Sequence, residues 1–285
     1  MKVAILSGKG GAGKTMVAVN MAYVSDESVY LDCDVEEPNG NIFLKNNFVS
    51  KEKVKVYIPH VDQEKCSGCR TCTNFCRFNA LAMMGEKIVV FEEICHSCGG
   101  CTILCPQNAI SEKDKIIGTI TRGYFENVEV ISGELNIGEP SGVPLIKKII
   151  KIGKEKDKVV IIDCPPGSSC SVIEGIKDAD YCLIVTEPTI FGSHNLEIVH
   201  KLAKLFKKPV GIILNKDIDE KNPSEEYANK NNLKIIGKIP FNNKVSKMVS
   251  NGQIISKEDV VYKGIFENML YKVRKEVDNE TTSCN

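Results

Sequence analysis

Ser7-Gly8-Lys9-Gly10-Gly11-Ala12-Gly13-Lys14-Thr15 fits, from Gly8 to Thr15, the G-x-x-x-x-G-K-[ST] phosphate-binding pattern. The apolar run Val3-Ala4-Ile5-Leu6 before it reads as a strand, and residues 16–24 after it read as a helix. A phosphate loop requires that strand-to-helix context. The glycines Gly8, Gly10, Gly11 and Gly13, with Ala12 between them, let backbone N–H groups turn inward around phosphate oxygens. The N-terminus of the following helix favours the same anion. Lys14 is expected to reach the β- and γ-phosphates of ATP, and the Thr15 hydroxyl to complete a Mg²⁺ site.

Lys9 adds a second lysine early in the loop. In this the stretch resembles the deviant phosphate loop of the MinD, Mrp, ParA and nitrogenase iron protein group. The resemblance implies that Lys9 reaches across a nucleotide-dependent homodimer to the partner's phosphates, so that catalysis needs two chains. Ser28-Val29-Tyr30-Leu31 reads as a second strand, ending in Asp32-Cys33-Asp34-Val35-Glu36-Glu37. Taken alone these are solvated turn carboxylates. By resemblance to the first switch of the group, Asp34 positions the attacking water and Asp32 lies near Mg²⁺.

Composition narrows the rest. The 285 residues carry 37 Lys plus Arg against 37 Asp plus Glu, so no net charge draws the chain to nucleic acid or to an anionic membrane. No apolar run approaches the roughly 18 to 20 residues of a spanning helix, and no leader precedes the first strand, so a cytoplasmic location without integral membrane association is expected. Of thirteen cysteines, eight fall into one pattern, for which metal ligation is a better account than disulfides.

That pattern is Cys66, Cys69, Cys72 and Cys76 answered by Cys95, Cys98, Cys101 and Cys105, each 29 residues later. Asn79-Ala80-Leu81 is likewise answered by Asn108-Ala109-Ile110, an internal duplication. The C-x-x-C-x-x-C-x-x-x-C spacing is that of a two-cluster bacterial ferredoxin, in which the fourth cysteine of each run serves the other cluster. Cys66, Cys69, Cys72 and Cys105 are thus assigned to one [4Fe–4S] cluster and Cys95, Cys98, Cys101 and Cys76 to a second. Two Zn–Cys₄ sites are the alternative, disfavoured because structural zinc usually takes separated pairs. Arg77 stands where the second run has Pro106, and His96 reads as a loop residue.

Further along, residues 128–131 suit a strand, 133–142 a loop and 144–152 a helix. Val159-Val160-Ile161-Ile162 is a strand buried on both faces, capped by Asp163-Cys164-Pro165-Pro166-Gly167. This segment resembles the second switch of the same group, which gives Asp163 a water-mediated role at Mg²⁺. Cys170 stands where the nitrogenase iron protein has a cluster ligand on its dimer axis; a partly buried thiol is the plainer reading, and Cys33, Cys182 and Cys284 read as two core thiols and one tail thiol. Strands are expected at 181–185 and 210–214, and a helix at 194–207 with His194 and His200 on its face. By resemblance Asn215 contacts the adenine edge, although a strand-end asparagine also satisfies its own turn. Residues 264–277 suit a terminal helix that packs on the sheet.

The expected fold is a doubly wound, mainly parallel α/β phosphate-loop ATPase domain, residues 1–60 and 112–285. It is interrupted by an α+β ferredoxin domain, residues 61–111, of two antiparallel hairpins and short helices. The expected function is ATP-gated, low-potential electron transfer to a redox partner protein. The alternatives are an Mrp-like cluster scaffold or carrier, which would use a late C-x-x-C pair not present after Cys105, and a MinD-like positioning or regulatory ATPase whose clusters sense redox state.

Overall fold

The computed structural model describes residues 1–45, 47–154, 158–218 and 222–283. Its strands are β1 (Lys2–Leu6), β2 (Ser28–Asp32), β3 (Asn47–Val61), β4 (Leu81–Met84), β5 (Lys87–Val90), β6 (Ile110–Phe125), β7 (Val128–Leu135), β8 (Val159–Asp163), β9 (Tyr181–Thr186), β10 (Val210–Asp217) and β11 (Lys234–Pro240). All but β4 and β5 join one sheet in the order β11-β10-β9-β1-β8-β2-β7-β6-β3. From β11 to β7 every neighbouring pair is parallel, and β6 and β3 extend that sheet as antiparallel strands.

Alternation along β1 shows why the centre is apolar throughout. Val3 and Ile5 face a layer that includes the helices Lys14–Tyr23 and Val260–Ser283, whereas Ala4 and Leu6 face the helices Val143–Ile152, Cys170–Asp178 and Ile190–Leu205. Helices cover both faces, as parallel strands require. The terminal helix packs through Phe266, Met269, Leu270 and Val273, all buried, as its apolar stripe predicts.

The largest departure from expectation is β6, which runs through Ser111-Glu112-Lys113-Asp114-Lys115 without an apolar signal. It pairs with β3 along a two-stranded ribbon from Asn47↔Tyr124 to Val61↔Ile110. Residues 62–109 leave and rejoin the ribbon at that last pair. They contain the helices Thr71–Phe75 and Gly100–Ile103, the 3₁₀ turn Glu92–Ile94 and the hairpin β4–β5. Among the described residues, the second hairpin expected here is the end of the ribbon itself. A small core of Val61, Cys72, Leu81, Ile88, Cys101 and Ile110 gathers at this end.

Candidate functional site

The nucleotide loop sits at the carboxyl ends of the central strands, where open α/β sheets place ligands. Gly11 and Gly13 take φ of +81 and +92, the left-handed region that favours glycine. A Cβ on Gly8 would fall 2.5 Å from the Asn195 Cβ, so the loop lies hard against the helix Ile190–Leu205. That helix also carries His194 and His200; the His200 Nδ1 lies 2.9 Å from the Tyr227 hydroxyl.

Lys14 is the first residue of the helix after the loop, with Thr15 next to it. The Lys14 Nζ donates to Asp163 Oδ1 at 2.6 Å and lies 3.7 Å from Asp34 Oδ2. The Tyr30 hydroxyl donates to the other Asp163 oxygen at 2.8 Å. Parallel register sets Asp32 directly beside Asp163, and both carboxylates are fully buried. Asp32 Oδ2 accepts from the Gly40 N–H at 2.9 Å, while its Oδ1 has no hydrogen-bond partner.

Electrostatics follow from this crowding. Burial, reinforced by the neighbouring Asp163 charge, pushes the Asp32 carboxyl up to about 8. Burial also lifts Asp34 to about 6, with Lys14 opposing the rise. Desolvation works against the ammonium of Lys14, but Asp163, then Asp34 and Asp32, outweigh it and hold Lys14 above the usual lysine value. The arrangement is a buried cation among acidic strand ends.

Lys9 lies 2.5 Å from Glu187 Oε2 and over the Phe191 ring, 5.4 Å from its centroid. Lys216 takes the other Glu187 oxygen at 2.5 Å and donates to the Gly11 carbonyl at 3.1 Å. Burial disfavours the Glu187 charge, yet hydrogen bonds from Lys216 and Lys9 hold its pKa below the ordinary glutamate value. Asn215 donates its side-chain amide to the Ala12 carbonyl at 2.8 Å and lines an open pocket with Gly13, Met16, Pro240 and Phe241. On the other side of the loop, Asp34, Glu36 and Glu37 face Pro165, Pro166 and Ser169 across a cleft.

Asp34, Asp163 and Asn215 thus come from distant parts of the chain to the loop that carries Lys9 and Lys14. Tyr30, Glu187 and Lys216 join them as partners that no sequence motif marks. A tyrosine in an otherwise aliphatic strand was a signal for Tyr30, since a buried phenol needs a hydrogen-bond partner. Glu187 had a weaker one, an acid just beyond the end of a strand adjacent to β1.

The cysteines form a second arrangement. Cys66, Cys69, Cys72 and Cys105 line one cavity, and Cys76, Cys95, Cys98 and Cys101 line another. All eight are free thiols. The 29-residue repeat extends to the backbone: Gly68 and Ser97, Arg70 and Gly99, and Asn79 and Asn108 form three pairs of positive-φ positions. The Ala80 N–H donates to Cys76 Sγ and the Ala109 N–H to Cys105 Sγ, each at 3.3 Å. His96 stacks on Phe78 with ring centroids 3.8 Å apart. Among the described residues, no group of three or more His, Cys, Asp or Glu side chains closes on a point that could hold a metal ion.

Cys170 is exposed at the start of the helix Cys170–Asp178, whereas Cys164, Cys33 and Cys182 are buried. Cys164 donates toward the Ile162 carbonyl at 3.7 Å, facing the core. Cys284 lies outside the described residues.

Fold and loop together define a phosphate-loop, nucleotide-binding α/β protein. Residues 3–255 match the model of the CobQ/CobB/MinD/ParA nucleotide binding domain. The chain belongs to that family, as a P-loop protein of the MinD/ParA type of ATPase. It is 33% identical over 261 residues to the uncharacterized protein MJ0578 of Methanocaldococcus jannaschii, covering 88% of each chain. To MJ0579 of the same organism it is 32% identical over 222 residues, covering 76% of this chain and 80% of the relative. Among solved structures, the septum site-determining protein MinD from Pyrococcus horikoshii, complexed with Mg-ADP, superposes with a TM-score of 0.59 at 18% identity over 95% of both chains. The cell division ATPase MinD of Pyrococcus furiosus gives 0.59 at 19% identity, over 96% of this chain and 98% of that one. Among the described residues no helix is long and apolar enough to cross a membrane.

Proposed function

We propose that this chain binds and hydrolyses Mg·ATP as a nucleotide-dependent homodimer and couples that cycle to electron transfer through two [4Fe–4S] clusters to a redox partner protein. The observation that carries the reading is the sorting of eight cysteines into two cavities, each walled by three thiols of one run and the fourth of the other. Four soft thiolates around a cavity, with backbone N–H groups directed at Cys76 and Cys105, suit an iron–sulfur core. Two zinc sites are disfavoured by the spacing instead, because structural zinc usually takes two separated pairs of ligands rather than a triplet with a distant fourth. When bound, such clusters supply one-electron storage at low potential.

At the nucleotide face, Lys14 leaves Asp163 for the β- and γ-phosphates, and Thr15 and Asp163 serve Mg²⁺. Asp34 orients the water that attacks the γ-phosphate. Lys9 has to give up Glu187 before it can reach phosphates bound by a second copy of the chain. Asn215, a buried residue of the pocket wall, recognises the base. Lys9→Ala should therefore retain most ATP binding and lose dimer-dependent turnover; normal hydrolysis by this variant would exclude the cross-dimer role. Its stability should fall by about 1 kcal/mol or less, because the ion pair with Glu187 is partly exposed.

The decisive experiment is iron and sulfide analysis of the anaerobically reconstituted protein, followed by a redox titration read by low-temperature EPR with and without Mg·ATP. About eight irons and eight sulfides per chain are expected for two such clusters, with a midpoint or spectrum that responds to nucleotide. A single metal ion per cysteine set, or no iron, would sink the reading.

A further inference from the structure

The geometry points to Lys115 as the residue that transmits the state of the nucleotide face to one cysteine set, that of Cys76, Cys95, Cys98 and Cys101, and not to the other. The inference rests on the function proposed above and assigns the coupling to named contacts.

The connection begins at Val35, the neighbour of Asp34. Its side chain is 2% exposed, and a Cβ on Gly142 or Gly133 would fall 2.6 or 3.0 Å from its methyl groups. Gly133 in β7 and Gly142 in the loop after it leave room for that side chain. The Leu135 N–H donates to the Val35 carbonyl at 2.8 Å, so a shift at Asp34 and Val35 pulls directly on the end of β7. The next residue, Asn136, is tied to β6: its N–H donates to the Ile117 carbonyl and its side-chain amide to that of Ile116, at 2.8 and 2.9 Å.

Glu139, in the same loop, meets the Lys115 Nζ at 2.9 Å, with the two side chains only 9% and 18% exposed. That ammonium also donates to the Glu92 carbonyl at 2.9 Å. The same oxygen accepts the N–H of Cys95 at 3.4 Å, so Lys115 and a thiol-bearing backbone share one acceptor. The Lys113 Nζ holds the Glu92 carboxylate at 2.6 Å. Charge, loop and cysteine turn are thereby joined through a pair that is costly to break one partner at a time.

The repeat supplies the contrast. Gln63 stands 29 residues before Glu92, as its counterpart. Its side chain exchanges two hydrogen bonds with the backbone of Ile88, at 2.8 and 3.2 Å, inside the insert. The turn before Cys66 is thus anchored to its own hairpin, whereas the turn before Cys95 is anchored to the nucleotide domain. For nucleotide to bias the second turn, it must interact differently with the two positions of this linkage.

The test is hydrogen–deuterium exchange of the cluster-loaded protein, with and without a non-hydrolysable ATP analogue and Mg²⁺, in the parent and in Lys115→Met, Glu139→Gln and Lys115→Arg. In the parent, nucleotide should change exchange in residues 33–40 and, by about fivefold or more, in 92–99, while 63–70 stays unchanged. Lys115→Met and the near-isosteric Glu139→Gln should silence 92–99 and spare 33–40, and Lys115→Arg should retain the response. A response at 92–99 that survives both variants overturns the inference. So does a parent whose segment 33–40 responds while 92–99 is silent, or in which 63–70 responds equally. Absence of iron, or silence at 33–40, instead removes the proposed function itself and this inference with it.

Discussion

In the middle of the sheet, β2 and β8 are buried at every residue, and their last positions place Asp32 and Asp163 side by side with Lys14 between the acidic groups. At the far edge, β3 is exposed through its first seven residues and is held by its ladder to β6. The centre is ordered by burial, which makes each charge there depend on its neighbours. The edge is ordered by backbone pairing, which leaves side chains free to vary. Function and stability should therefore fail together at the centre and separately in the ribbon and its insert.

The sharpest way to break that contrast is Lys14→Ala. It leaves Asp163, fully buried, and Asp34 without the ammonium they share, so stability should drop by about 3–5 kcal/mol in denaturant unfolding. Nucleotide binding should disappear in calorimetry. A variant that loses binding at unchanged stability would show that the centre is not as interdependent as its geometry implies.

Next in size is Cys105→Ser, which should remove about half of the iron, the share held with Cys66, Cys69 and Cys72. Nucleotide binding should be unchanged. Loss confined to the cluster of Cys95, Cys98 and Cys101 would refute the crossed assignment.

A further effect separates the regions by pH. Asp32 in the folded chain is raised to about 8, against about 3.9 for an unfolded aspartate. Below about pH 4 both states carry the proton and its stabilising contribution is complete. As pH rises toward 8 the unfolded state ionises more readily, so this contribution is progressively lost. Asp34, raised to about 6, has the same sign over a narrower range. Asp32→Asn should flatten the fall in denaturant midpoint across this window, and an unchanged slope would place its origin elsewhere. The smallest effect is expected at Lys55, paired with Asp114 on the exposed ribbon. Lys55→Ala should alter neither midpoint nor nucleotide binding measurably.

The same division governs what could be read from the sequence. The loop from Gly8 to Thr15, the apolar strands and the acids after them were legible because burial on both faces leaves an uninterrupted hydrophobic run. The cysteine repeat was legible because its spacing is local. β6 was not, since Glu112, Lys113, Asp114 and Lys115 carry no alternation that would mark a strand. Nor was β11, where Gly237 interrupts the run to admit Met269 of the terminal helix, which a Cβ there would strike. The Glu187 contacts with Lys9 and Lys216 leave no local pattern either, because they depend on how strand ends meet across the sheet. The expected helix at 16–24 begins at Lys14 instead, directly after the left-handed Gly13.

Val61 and Ile110 are register partners, so the chain departs from the sheet and returns at a single rung. Across such a rung the Cα atoms stand only about 5 Å apart. Residues 62–109 are therefore a cassette with one doorway: an Asn-Gly turn could close the ribbon in their place without altering another strand pairing. The shortened chain would keep the nucleotide loop and forfeit all eight repeat cysteines. A hairpin of this kind is a socket: the strand order of the sheet is the same whether the cysteine-rich unit is plugged in or not.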